Sequence, residues 1–192
     1  MLRSEGKVGM VTIEALMAAL PQVLAAPKDA TFARQLTFRA GYNQRQHPDR
    51  LRLTVGQGVP GERWLTAPWS RLPDGRPDPS IQVSILPTRA HDLVRTHPDQ
   101  PHPGDTILAD LDTSEANLPQ GTLLRAGTAT LRVSSLFNDG CVKWKVRYGQ
   151  AAKDWITLPG HPLLRLRGIL CAVVEDGEIA VEDPITVLSR PG

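Results

Sequence analysis

Cys141 stands in the run Asn138-Asp139-Gly140-Cys141-Val142-Lys143-Trp144-Lys145-Val146-Arg147, where one sulfur precedes three cations. A cysteine attacks sulfur donors and binds metals as the thiolate, and positive neighbours favour that form. Two local conformations lead to the same expectation. In a strand, alternation sends Val142, Trp144 and Val146 to an apolar face and leaves Cys141 beside Lys143, Lys145 and Arg147. In a helix, Asn138 or Asp139 caps the N-terminus and Cys141 falls in the first turn, near the positive end of the backbone dipole. Against both stands the ordinary role of a free cysteine, a small buried filler. Cys171 fits that role, because it sits in the apolar run 169–174 with no cation beside it.

Other motifs carry less. Gly56-Gln57-Gly58-Val59-Pro60-Gly61 has the letters of a dinucleotide-binding turn, but Pro60 removes an amide and Pro68 stops any helix that would have to begin there. It reads as a glycine-rich turn delivering Glu62 and Arg63. The chain contains no GxSxG, no HExxH and no P-loop lysine. Four of its five histidines, His47, His97, His102 and His161, precede proline. That context disfavours helix and predicts surface loops, without the spacing that puts two imidazoles on one metal. The two cysteines form no CxxC pair, so neither a disulfide framework nor a zinc site is expected, and a reducing cytoplasm suits them. Formal charge is +2, with 22 basic residues scattered among 20 acidic ones. A nucleic-acid partner is therefore not expected. The lysines are the exception to this scatter: of Lys7, Lys28, Lys143, Lys145 and Lys153, three fall close together after Cys141.

The elements that must position Cys141 read as one domain over residues 1–192, with a helix at about 12–26 and a β barrel at about 31–190. Arg3 and Lys7 precede an apolar stretch like those of signal peptides, but Glu14, Pro21 and Gln22 interrupt it. Ile13, Leu16, Met17, Leu20 and Leu24 instead follow helical spacing after a Thr12 cap, and no other stretch approaches membrane-spanning length. Strand-type segments follow at 35–38, 51–55, 81–86, 128–137, 168–174 and 185–188, a spacing that suggests a barrel or sandwich. Residues 175–178 form a turn, so the C-terminal strands read as a closing hairpin. Residues 69–79, rich in Pro, Asp and Gly, are a long loop.

Taken in order, several of these segments resemble the MOSC family, named for the C-terminal domain of molybdenum cofactor sulfurase, in its small stand-alone bacterial type. Gly58-Val59-Pro60-Gly61-Glu62-Arg63-Trp64 resembles the family's glycine-valine-x-glycine-acid-arginine turn, and Gln82-Val83-Ser84-Ile85-Leu86 the strand after it. Gly104-Asp105-Thr106-Ile107-Leu108 matches a glycine-glutamate-asparagine segment, with Thr106 in place of the asparagine. Asp110-Leu111-Asp112 and the run 117–122 follow. Gly140-Cys141-Val142-Lys143-Trp144 with Arg147-Tyr148-Gly149 is the most specific match, and Leu166-Arg167-Gly168 and 177–183 complete the series. Asn138-Asp139 stands where many relatives of this type carry histidine and threonine, so proton transfer by such a histidine is not carried over.

The resemblance implies a mainly β fold with short helices, a MOSC-type barrel similar to the pyruvate-kinase β-barrel, and a short helix after the cysteine. It also implies that Cys141 either ligates the molybdenum of a molybdopterin cofactor or carries sulfur as a persulfide. The first role belongs to an oxidoreductase or detoxification module for N-hydroxylated compounds, supplied by an electron-transfer partner. The second belongs to a sulfur carrier or adaptor fed by a sulfur-donor protein. A barrel that has lost its chemistry is the third alternative. For the anionic cofactor, Arg63, Gln82, Asp105, Lys143, Arg147 and Arg167 are the candidate contacts, the arginines because a guanidinium fork matches phosphate.

Overall fold

The computed structural model describes residues 9–192. Arg3 and Lys7 lie outside them. The first element is helix α1 (Ile13–Leu24), whose cap is Thr12: its Oγ1 accepts from the Ala15 N–H at 3.2 Å. Its buried stripe is Leu16 and Val23, flanked by Leu20, while Met17 and Leu24 face outward. The buried face is thus turned relative to the one that apolar spacing predicts, because it follows α2 (Thr88–Val94) and α4 (Gln150–Trp155), the helices against which α1 packs.

Nine strands follow in chain order: β1 (Ala30–Leu36), β2 (Arg50–Leu53), β3 (Val83–Pro87), β4 (Ile107–Ala109), β5 (Leu123–Ala126), β6 (Ala129–Val133), β7 (Ile169–Glu175), β8 (Gly177–Ala180) and β9 (Pro184–Ser189). Seven close a barrel in the order β1-β4-β3-β7-β6-β5-β9, with β9 returning to β1 through Thr31 opposite Ile185. The expected β-barrel is therefore the fold. Its β7–β8 hairpin is not formed. β8 leaves the barrel to pair with β2, Leu51 opposite Ile179, and closure falls to β9. Two barrel strands, β4 and β5, have no counterpart among the predicted segments. They are three and four residues long, too short to show a period.

Side-chain alternation divides the barrel wall. Ile85, Ile107, Leu124, Leu131, Ile169 and Cys171 fill the interior, whereas Leu86 and Leu108 point out into a second core with Leu16, Trp144, Tyr148 and Trp155. Helix α3 (Val142–Tyr148) belongs to this outer layer. Cys171 is fully buried, and burial pushes its thiol up to about 12, Arg165 opposing only part of the effect. It is core filler, as its apolar surroundings indicate.

Among the described strands only β3 and β4 run parallel, and a parallel pair needs a crossover. Residues 88–106 supply it, as α2 and a loop. The loop is tied to α3: Tyr148 Oη donates to the Pro101 carbonyl at 2.8 Å and Gln100 Nε2 to the Arg147 carbonyl at 2.9 Å. Beneath it His91, His102 and His47 stack edge to face, with ring centroids 5.1 Å apart for His91 and His102 and 5.6 Å for His102 and His47. His161 is buried too, against Trp155, whose carbonyl its Nδ1 meets. Proline after a histidine restricts backbone geometry and says nothing about burial, which is why the predicted surface placement fails for His161 and holds only in part for His102, a half-buried loop residue.

Burial pushes His91 down to about 4, against the pull of Asp105 and with the repulsion of Arg95 and Arg167; burial likewise takes His102 to about 3. Both rings are neutral in the folded protein across the range where the unfolded chain protonates them. Stability is accordingly expected to fall as pH drops below 6.5, through 4 for His91 and on to 3 for His102. The slope is about 1 kcal/mol per pH unit for each ring. Urea midpoints measured across that window check this, and His91→Leu is expected to flatten the dependence. A second test concerns the start of β7, where Gly168 has φ +87 and an added Cβ would lie 2.1 Å from the Ile85 carbonyl oxygen. Gly168→Ala is expected to cost about 3 kcal/mol in chemical denaturation, from backbone strain plus a forced separation of β3 and β7.

Candidate functional site

The segment after Cys141 is the helix, not the strand. Cys141 is itself the N-cap residue of α3, in extended conformation and exposed, ahead of the first turn that the helical reading assigned to it. Neither proposed cap serves. Asn138 Nδ2 donates instead to the Arg167 carbonyl at 3.1 Å, and Asp139 is exposed. Gly140 is needed for contact: a Cβ there would lie 2.4 Å from Ile156 Cδ1 and 3.1 Å from Trp144 Cδ1. The backbone therefore runs flush against the outer core and turns the next residue, Cys141, outward. Val142 and Val146 project from α3 at 68% and 73% exposure, so the apolar face expected of a strand does not exist.

Cys141 opens into a cleft of about 100 Å³ floored by Trp144. Six cationic side chains line it: Arg39, Arg45, Arg63, Lys143, Arg147 and Arg167. They come from four separate stretches of chain, which is why no basic run marks them in the sequence. Lys143 and Arg147, four residues apart, share one side of α3. Lys145, between them, does not line the cleft.

Two of the six are held from behind by buried carboxylates. Arg167 Nη1 donates to Asp105 Oδ1 at 2.8 Å, and its guanidinium lies over the Trp144 ring, 4.7 Å from the centroid. Burial alone would raise the Asp105 pKa, but Arg167, with a smaller contribution from Arg39, outweighs it and holds the carboxyl below its ordinary range. Arg39 makes a fork to Glu62, Nε to Oε1 at 2.8 Å and Nη2 to Oε2 at 2.7 Å, while the Arg39 N–H reaches Oε1 at 3.2 Å. Burial works to lower the Arg39 pKa; Glu62 reverses the sign and keeps it raised.

The other four have no carboxylate within ion-pair distance among the described residues. Lys143 Nζ sits 3.9 Å from the Tyr42 ring centroid, with Arg63 Cζ at 5.8 Å from the same ring. Arg147 Nη1 donates to the Pro103 carbonyl at 3.3 Å. Burial, then repulsion from Arg147, presses the Arg45 pKa down. The cleft thus carries four cations that no carboxylate among the described residues pairs with. An anion placed there gains what the protein has left unpaired.

Of the residues singled out in the sequence, Cys141, Arg63, Lys143, Arg147 and Arg167 line this cleft, and Asp105 stands behind Arg167. Gln82 does not belong to it. Its amide links two parts of the barrel wall, Nε2 donating to the Val55 carbonyl at 2.8 Å and Oε1 accepting from the Val173 N–H at 2.9 Å, and the side chain is buried there, outside the cleft lining. Thr106 is likewise structural, exchanging hydrogen bonds with Ser84 between β3 and β4. The glycine-rich turn before Glu62 closes as a tight Thr54–Gly58 bridge with no helix beginning on it. Arg39 and Arg45 went unnoticed in the sequence. The available signal was indirect: Glu62, an acid in an otherwise apolar turn, requires a cation. Among the described residues no group of three or more histidine, cysteine or acidic side chains could hold a metal, so a metal at Cys141 would take most of its ligands from a cofactor. No helix among them is long and apolar enough to cross a membrane.

No family model matches the chain, and no curated protein matches it. Solved structures do. The chain is similar to the YuaD protein from Bacillus subtilis, with 19% identity and a TM-score of 0.57 over 84% of this chain and 97% of that one. It is similar to YiiM from Escherichia coli at 18% identity and TM-score 0.54, over 84% of this chain and 71% of that one. YiiM from Geobacillus stearothermophilus gives 14% identity and TM-score 0.57, over 83% and 76%. At these identities the likeness is one of fold, and the shared architecture is the β-barrel with its short helices.

Proposed function

We propose that this is a MOSC-type protein whose cleft holds the anionic end of a molybdenum cofactor with Cys141 as the protein's ligand to the metal. One observation carries the reading: Cys141 opens into a single cleft with six cations, four of them unneutralised. The ordered motifs and the barrel fold shared with YuaD and YiiM support it.

The residues suit such a cofactor in charge and donor chemistry. A soft thiolate matches molybdenum, and guanidinium groups match phosphate. Arg39 and Arg167, fixed by Glu62 and Asp105, would orient the phosphate, with Arg45, Arg63, Arg147 and Lys143 closing around it. In size only part of the cofactor fits. About 100 Å³ is below the roughly 300 Å³ at which sites begin to engulf a drug-sized ligand, so the cleft residues would hold only the anionic end of the cofactor. When bound, the cofactor would supply a sulfur-ligated centre that exchanges electrons; reduction of N-hydroxylated compounds, with an external electron donor, is the activity that goes with it. The protein's own part would be to bind, orient and neutralise. Cys141 must stay reduced for this, which a reducing cytoplasm provides.

The small cleft and the exposure of Cys141 favour a second reading, a sulfur carrier holding a persulfide on that residue. Purification from a host that makes the cofactor, followed by metal analysis and intact mass, separates the two. Molybdenum that drops more than about tenfold in Cys141→Ala supports cofactor ligation. One extra sulfur on Cys141, removed by reductant, supports the carrier. Absence of both signals overturns both readings.

The electrostatic premise has its own check. Alkylation of Cys141 by anionic iodoacetate is expected to outpace that by neutral iodoacetamide, relative to a free thiol. The ratio is expected to fall about threefold for each of Arg45→Gln and Arg147→Gln, and to fall with added salt.

A further inference from the structure

Resting on the carrier reading, we propose that the protein takes its sulfur directly from thiosulfate, a small inorganic dianion, and is a thiosulfate sulfurtransferase with Cys141 as nucleophile. Three observations converge. The cleft is about 100 Å³, room for a handful of heavy atoms. Arg45, Arg63, Lys143 and Arg147 bring cationic groups to it without a carboxylate partner among the described residues, and a dianion offers them a counter-charge. Cys141 lies at the same opening, exposed. A folded donor protein would have to insert a narrow extension to use so small a space. Thiosulfate enters whole.

The step balances without an added oxidant or reductant. The Cys141 thiol gives its proton to bulk water, to which it is open, and the thiolate attacks the outer sulfur of thiosulfate. A bond forms between Sγ and that sulfur; the sulfur–sulfur bond of thiosulfate breaks, and its electron pair leaves on sulfite. Cysteine persulfide and sulfite carry the same total charge as the reactants. The arginines would act where charge gathers, on the sulfonate oxygens of the donor and then of the departing sulfite. A thiophilic acceptor such as cyanide removes the outer sulfur as thiocyanate and restores the thiolate.

The whole chain, reduced and desalted, is incubated with thiosulfate and analysed by intact mass and peptide mapping, then with thiosulfate and cyanide for thiocyanate release. One added sulfur on Cys141, none in Cys141→Ser, and catalytic thiocyanate are expected. Arg45→Gln with Arg147→Gln is expected to raise the half-saturating thiosulfate concentration about tenfold or more, while slowing loading by a neutral organic trisulfide, which has no sulfonate for the arginines to hold, by only about two- to threefold. The trisulfide arm guards against a misfolded variant. Loading by trisulfide but not by thiosulfate overturns this proposal and leaves the carrier reading intact. Failure of both donors to place sulfur on Cys141 overturns the two together. A thiosulfate rate insensitive to removal of the arginines also overturns the assignment, since any exposed thiol would then do the same.

Discussion

Six cations around a space of about 100 Å³ repel one another, and the rest of the site depends on how the fold tolerates that repulsion. It does so by burying two carboxylates directly behind the cleft. Asp105 and Glu62 each neutralise one arginine and fix its direction, so Arg167 and Arg39 become rigid parts of the wall. Breaking such a pair strands a charge in low dielectric, which is far more costly than the pair is stabilising. The other four cations have no acid in ion-pair reach among the described residues. Their mutual repulsion is relieved by solvent and by the Tyr42 ring, and would be relieved further by an anionic guest.

The barrel supplies these carboxylates at the right depth through its irregularities. Glu62 follows the tight turn closed by Thr54 and Gly58, and Asp105 ends the crossover required by the single parallel strand pair. The crossover loop is itself held down on α3 by Tyr148 and Gln100, so the acid behind Arg167 and the helix that begins at Cys141 are mechanically one unit. Gly140 completes it by letting the chain lie on Trp144 and Ile156 before Cys141 emerges.

Much of this was legible in the sequence, for reasons that can be named. Strands with strong apolar alternation or long apolar runs, β3 and β7 above all, were visible; β4 and β5 were too short to have a period. The β2–β8 pairing was not visible, because nothing local tells a strand which partner it will leave its neighbour for. At the site, Cys141, Lys143 and Arg147 could be grouped because one short helix carries them. Arg39 and Arg45 could not, since only the folded chain brings them to the same opening. Gln82 is the opposite case: it stands in a resembling motif, yet its amide is bonded to Val55 and Val173 in the barrel wall and lies outside the cleft lining. Proline after a histidine likewise fixes a backbone preference and leaves burial open, as the buried His161 shows.

The seam that closes the barrel joins β1 to β9, segments near opposite ends of the described chain. A sheet of this kind cannot be completed by a growing polypeptide until its last strand has been made. Contacts so distant in sequence also carry the loop-closure entropy that slows folding. Every cation of the cleft precedes β9, and all of them emerge from the ribosome before the scaffold beneath them is shut. A nascent chain paused short of β9 would therefore expose Cys141 and six positive charges on an unclosed sheet. In this architecture the strand that shuts the container is translated after every group it must hold.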